Sequence, residues 1–111
     1  MHTLLPTQRL ANPRDLYRPH GIPFVAAAPE GNCFGATNAD LLLAQNTGTE
    51  FETLHFELPG SDADEFDHEL EPGALAGIWF GTSAPWCWPD GSIRFRASSD
   101  KVLLAVVRHD P

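Results

Sequence analysis

Residues 51–58 read Phe-Glu-Thr-Leu-His-Phe-Glu-Leu, and their alternation decides the fold class. Leu54, Phe56 and Leu58 fall on one side of an extended chain, Thr53, His55 and Glu57 on the other. A period of two belongs to a strand with one buried face, and Pro59-Gly60 stops it. Upstream, Thr37 followed by Asp40 has the form of a capping box and predicts a short helix through Gln45. Leu41, Leu42 and Leu43 are consecutive, so periodicity alone does not separate helix from strand there. Asn46-Thr47-Gly48 ends the element. Downstream, Ser61 reads as the cap of a helix over Asp62 to Leu70, with Phe66 and Leu70 four apart on one face. Pro72-Gly73 closes it, and Leu75 to Thr82, apolar on both faces, predicts a central strand.

Toward the ends, Ile22 to Ala28 reads as a strand and Pro29 to Gly35 as a turn. Trp86-Cys87-Trp88, Pro89-Asp90-Gly91 and Ser92 to Ala97 predict a hairpin, Ile93 and Phe95 on one face, Arg94 and Arg96 on the other. Val102 to His109 reads as a final buried strand. Pro6, Pro13 and Pro19 break residues 1–21 into an extended arm. The expected architecture is therefore α+β and β-rich, a single compact domain over 22–111. Its antiparallel sheet is curled or closed into a small barrel or sandwich, with one or two short helices.

A chain of 111 residues with 42% hydrophobic and 20% charged residues has the composition of one globular domain. The longest clean apolar run, Val102 to Val107, is six residues, far short of the roughly 18 a membrane-spanning helix needs. The first residues, Met-His-Thr-Leu-Leu-Pro, lack a basic start followed by an apolar core. The expected location is the cytoplasm, of a bacterium or of a virus-infected host cell, with Cys33 and Cys87 as free thiols.

Charge is more specific. The net charge is −8, and residues 19 to 93 hold twelve acids and no lysine or arginine. Such a chain is a poor match for nucleic acid or an anionic membrane, which need clustered basic residues. It suits a basic protein surface. Asp62, Asp64, Glu65, Asp67, Glu69 and Glu71 form the densest run. The same residues do not make an EF-hand, because Phe66, Asp67 and Gly73 occupy positions that need a ligand, a glycine and a glutamate. Trp86 and Trp88, beside a turn, are candidate interface anchors, and Trp79 a candidate core residue.

Cys33 is the candidate nucleophile: it precedes the predicted helix, whose N-terminus would lower the thiol pKa, and His109 is the candidate base. Residues Glu30 to Asp40, with an acid, a glycine, one residue and then Cys33, resemble the cysteine box of ovarian-tumour-type cysteine proteases. The resemblance implies a helix directly after the cysteine. No metal or cofactor is expected, since His20, Cys33, His55, His68 and Cys87 are not paired at ligand spacing.

Three functions are compatible with these readings. The first is a non-enzymatic inhibitor presenting its acidic face to a basic, nucleic-acid-binding protein, as small acidic proteins of phages and mobile elements do. The second is a small cysteine hydrolase using Cys33 and His109. The third is a structural subunit of a virion type that oligomerises through the arm.

Overall fold

The alternation at 51–58 becomes a strand, Glu52–Phe56, in which Glu52, Leu54 and Phe56 are buried and Thr53 and His55 half-buried. The computed structural model describes residues 2–10, 23–35, 40–59, 66–79 and 87–109. The strands among them are β1 (Thr3–Leu4), β2 (Thr7–Leu10), β3 (Val25–Ala26), β4 (Asn32–Gly35), β5 (Asp40–Asn46), β6 (Glu52–Phe56), β7 (Phe66–Leu70), β8 (Leu75–Trp79), β9 (Ser92–Ala97) and β10 (Val102–His109). They form two sheets. The first runs β1-β4-β9-β6-β7; the second runs β2-β10-β5-β8, with β3 also paired to β10.

One core serves both sheets. The first contributes Phe34, Leu54, Phe56, Leu70, Ile93 and Phe95; the second contributes Leu42, Ala44, Val102, Leu104 and Val106. Phe95 lies 5.2 Å from Phe56 and 6.2 Å from Phe34, centroid to centroid. Burying each such side chain stabilises by about 1.5–3 kcal/mol. The chain is thus β-rich as expected, in two facing sheets and not a closed barrel.

No helix occurs among the described residues. Where a helix through Gln45 was expected, residues 40–46 form β5, its burial alternating residue by residue. It pairs with β10 on one side and β8 on the other. Two ladders satisfy its backbone, and a central strand accepts three consecutive leucines because both of its faces meet apolar side chains. Where a helix over 62–70 was expected, residues 66–70 form β7. A spacing of four is even, so Phe66 and Leu70 share a face in a strand as they do in a helix. Residues 61–65 lie outside the described residues, as do Thr37 and Trp86.

Three further placements differ. Cys33 lies within β4, not in a turn; only residues 29–30 turn. Among the described residues β8 is the last strand of its sheet rather than a central one, and Leu75 and Trp79 are 60% and 68% exposed, so Trp79 is not core. The sheets are not wholly antiparallel, because β1 runs parallel to β4 and β2 parallel to β10. Between β1 and β2 the chain crosses from one sheet to the other, with Leu5 buried in the core and Pro6, which has no N–H to satisfy, exposed.

Asp40 and Arg108 face each other across β5 and β10, with Arg108 Nε donating to Asp40 Oδ1 at 2.6 Å and the Nη2 group to Oδ2 at 3.2 Å. Asp40 is 1% exposed. Removing the arginine takes two charge-assisted hydrogen bonds from a buried carboxylate. Arg108→Met is expected to lower stability in urea unfolding by about 3–5 kcal/mol. Adding Asp40→Asn is expected to recover part of that loss.

Candidate functional site

The outward face of the first sheet carries nearly all of its chemistry, because β9 and β6 alternate. Ile93, Phe95, Leu54 and Phe56 turn into the core, which turns Arg94, Arg96, Thr53 and His55 outward. Cross-strand register then sets the neighbours. Cys33 stands beside Arg94, Arg96 beside His55, His55 beside Asp67, and Thr53 beside Glu69.

The charges on this face pair locally. His55 Nδ1 lies 2.6 Å from Asp67 Oδ1. Glu57 lies between His2, with Nε2 at 3.1 Å, and Arg96, with Nε at 3.5 Å. His2 reaches Glu57 because residue 31 is glycine: a Cβ there would stand 2.7 Å from the His2 ring, at a φ of +104°. Arg94 donates to Asp90 Oδ2 at 3.0 Å and lies over the Trp88 ring, 4.0 Å from its centroid. Trp88 in turn donates its indole N–H to the Glu57 carbonyl at 3.1 Å. The hairpin that holds Trp88 closes with Gly91 N–H on the Trp88 carbonyl and Trp88 N–H on the Ser92 carbonyl, both at 2.8 Å. Gly91 has a φ of +84°, the left-handed residue that a three-residue hairpin loop requires.

The sequence candidates are dispersed by the fold. Asp67 and Glu69 project from β7, which among the described residues is an edge strand of the first sheet, and Glu71 is exposed just beyond it. Asp62, Asp64, Glu65 and Trp86 lie outside the described residues. Trp88 is half-buried under Arg94. His109 ends β10 in the second sheet, its backbone registered with Leu10, and its side chain lies outside the described residues.

Cys33 lines an open cleft of about 510 Å³ together with His2, Leu4, Phe34, Asp90, Ser92 and Arg94. Burial raises the thiol pKa; Arg94 opposes that rise and Asp90 adds to it. A strand, not a helix, carries Cys33, and β5 rather than a helix follows it in the described chain. The structural basis for an activated thiolate, and for the likeness to a protease cysteine box, is therefore absent from the described residues. Arg94, already held by Asp90 and Trp88, is not an open anion site. Among the described residues, no group of three or more His, Cys, Asp or Glu side chains is placed to hold a metal ion. No helix among them is long and apolar enough to cross a membrane.

Several residues that organise this sheet gave no sequence signal. His2 and Glu57 are 55 positions apart and meet only through the parallel β1–β4 pairing. Glu52 is held below the usual carboxylate range by the hydroxyls of Ser98 and Ser99. The Asp90–Ser92–Arg94 cluster was foreshadowed only by the hairpin.

Among the described residues Asp90 is the most strongly shifted carboxyl: the Ser92 hydroxyl, the Ser92 backbone N–H and Arg94 lower it from 3.8 to about 2. A depressed carboxyl adds stability above its unfolded pKa and loses it as pH falls through the folded value. The hairpin is thus expected to weaken between about pH 4 and 2. Carboxyl NMR titration is expected to place Asp90 near 2 and to show it rising toward 3.8 in Ser92→Ala.

Comparison of the sequence with protein-family models and with curated proteins, and of the fold with solved structures, gives no match.

Proposed function

We propose that this is a non-enzymatic binding protein that presents the β7 edge of its first sheet to a basic groove on a protein partner. One observation carries the reading: Asp67, Glu69 and Glu71 are all exposed on or just past an edge strand, not spread over the domain. Asp62, Asp64 and Glu65 immediately precede that strand in the sequence. Acids on an edge also discourage pairing with other strands, so the edge favours charge-led docking over strand addition.

The arginines of the first sheet do not cancel this edge. Arg94 and Arg96 stand on β9, separated from β7 by β6, and are matched by Asp90 and Glu57. The partner class that fits is a nucleic-acid-binding protein with a phosphate-accepting groove, blocked by a protein of phage or mobile-element origin acting in the cytoplasm. No observation favours the cysteine hydrolase. The assembly-arm reading gains no support from residues 3–4 and 7–10, which pair within the chain's own sheets.

The test compares wild type with a variant carrying Asn or Gln at positions 62, 64, 65, 67, 69 and 71. Both are used to capture proteins from bacterial lysate, and binding kinetics are then measured on the captured partner. The neutralised variant is expected to fold with unchanged or slightly higher thermal stability, since six like charges in ten residues repel one another. It is expected to associate at least about tenfold more slowly at low salt, with the difference shrinking as salt rises. Equal binding by both proteins at low and physiological salt would show the acids to be a solvated edge only.

A further inference from the structure

We propose that residues 2–10 form a strap that opens as one unit while the rest of both sheets stays folded, and that its closure shields the Cys33 thiol. The inference does not depend on the acidic-edge reading.

The strap lies across both sheets. β1 pairs with β4 in the first, β2 pairs with β10 in the second, and Leu5 and Pro6 carry the chain between them. These two pairings are parallel, whereas every other pairing among the described strands is antiparallel. A parallel ladder is slightly weaker per residue than an antiparallel one. Among the described residues, Leu5 is the only strap side chain in the core, and Leu4 is 68% exposed. The rest of the core belongs to the body of the domain: Phe34, Phe56 and Phe95 in one sheet, Leu42, Leu104 and Val106 in the other. An element with so few buried contacts opens at a free energy below that of global unfolding.

Opening breaks contacts that water can replace. Thr3 N–H donates to the Gly31 carbonyl at 2.9 Å and Leu5 N–H to the Cys33 carbonyl at 2.8 Å. The Thr3 hydroxyl donates to the exposed Glu30 carboxylate, and Gln8 donates to the Pro23 carbonyl at 2.9 Å. The Asn32 side-chain amide, donating to the Thr3 carbonyl at 3.4 Å, faces the strap and is hydrated when the strap leaves, while its side-chain oxygen stays on Ala28 N–H. Glu57 loses His2 but keeps Arg96. Closure is nevertheless specific, because the glycine at 31 and the Asn32 amide give His2 and Thr3 one seat.

Cys33 lies under this strap. Its register partner is Leu4, and His2 and Leu4 supply one wall of its cleft. Burial holds the thiol pKa up, while Arg94 on β9 pulls it down. Opening removes the wall and leaves Arg94 in place, so the open form carries the more accessible and more acidic thiol.

Native-state hydrogen exchange of the full chain, with Cys33 alkylation followed by mass spectrometry, tests the proposal. The amides of Thr3, Leu5 and β2 are expected to exchange through one shared opening, at least about 100-fold more populated than the unfolding that exposes β9 and the centre of β10. Cys33 is expected to be alkylated through the same opening, more slowly than an exposed thiol by the factor that protects the strap amides. Leu4→Cys supplies a lock: residue 4 stands beside Cys33 in register, and neighbouring strands lie about 4.7–4.9 Å apart, within disulfide range. Once oxidised, Leu4→Cys is expected to slow exchange in β2, on the other sheet, to the rate of β9; reduced, it is expected to exchange as wild type does. Wild-type strap amides that exchange only together with β9 and β10 overturn the proposal. So does exchange in β2 that the oxidised lock leaves unchanged, since β1 and β2 then fray separately, or a Cys33 that reacts as fast as an exposed thiol.

Discussion

Asn46 is the junction on which the rest of the structure depends. It is fully buried at the end of β5, and each of its polar groups is used across a sheet or turn boundary. Its side-chain amide donates to the carbonyls of Glu50 at 2.7 Å and Leu70 at 3.1 Å, and its side-chain oxygen accepts from Gly48 N–H at 2.9 Å. Its own N–H and carbonyl bond Ala74 and Gly73, both at 2.9 Å. One residue of the second sheet thereby fixes the last residue of β7 in the first sheet and the turn that leads into β8. An aspartate cannot donate these bonds, and an apolar residue would leave buried carbonyls unpaired, a loss of about 1–3 kcal/mol for each such group.

From that junction two unlike edges diverge. β7 enters Asn46 at Leu70 carrying exposed acids, and β8 leaves it through Pro72-Gly73 carrying exposed apolar residues. The outward face between β4 and β7 is knit by paired charges, so the segregation of charge along the sequence does not persist in space. Arg94 and Arg96, from the basic C-terminal stretch, come to rest beside Asp90 and Glu57. Among the described residues, what stays uncompensated is the rim, at Glu69 and Glu71. The opposite outer face, on the second sheet, holds the apolar surplus. A net charge of −8 and an apolar strand, β8, thus coexist by lying in different sheets of one sandwich.

Much of this architecture was legible in the chain. Residues 51–58 announced their strand by alternation, Pro89-Asp90-Gly91 its hairpin, and Val102 to His109 a final buried strand, which is β10. The helices were misread for a physical reason. Phe66 and Leu70 satisfy both periodicities, and consecutive leucines at 41–43 suit a strand flanked on both sides, with one face buried and the other half-buried. The sequence shows that β8 is apolar but not that a sheet ends there, since strand order depends on partners far away in the chain. The same limit hid the Asp40–Arg108 pair, 68 positions apart, and the His2–Glu57 contact, 55 apart. Of the candidate site, the acids of β7 were visible as composition. Their position on an edge, and the pairing that neutralises their neighbours, were not.

The central claim is that Asn46 holds β7 and β8 in place while the aromatic core holds the sheets. Amide hydrogen exchange on Asn46→Ala, compared residue by residue with wild type, tests it most directly. The account predicts faster exchange through β7, the 71–74 turn and β8, with protection in β9 and β10 kept close to wild type. Uniform loss of protection across all strands, or unchanged protection in β7 and β8, would contradict it.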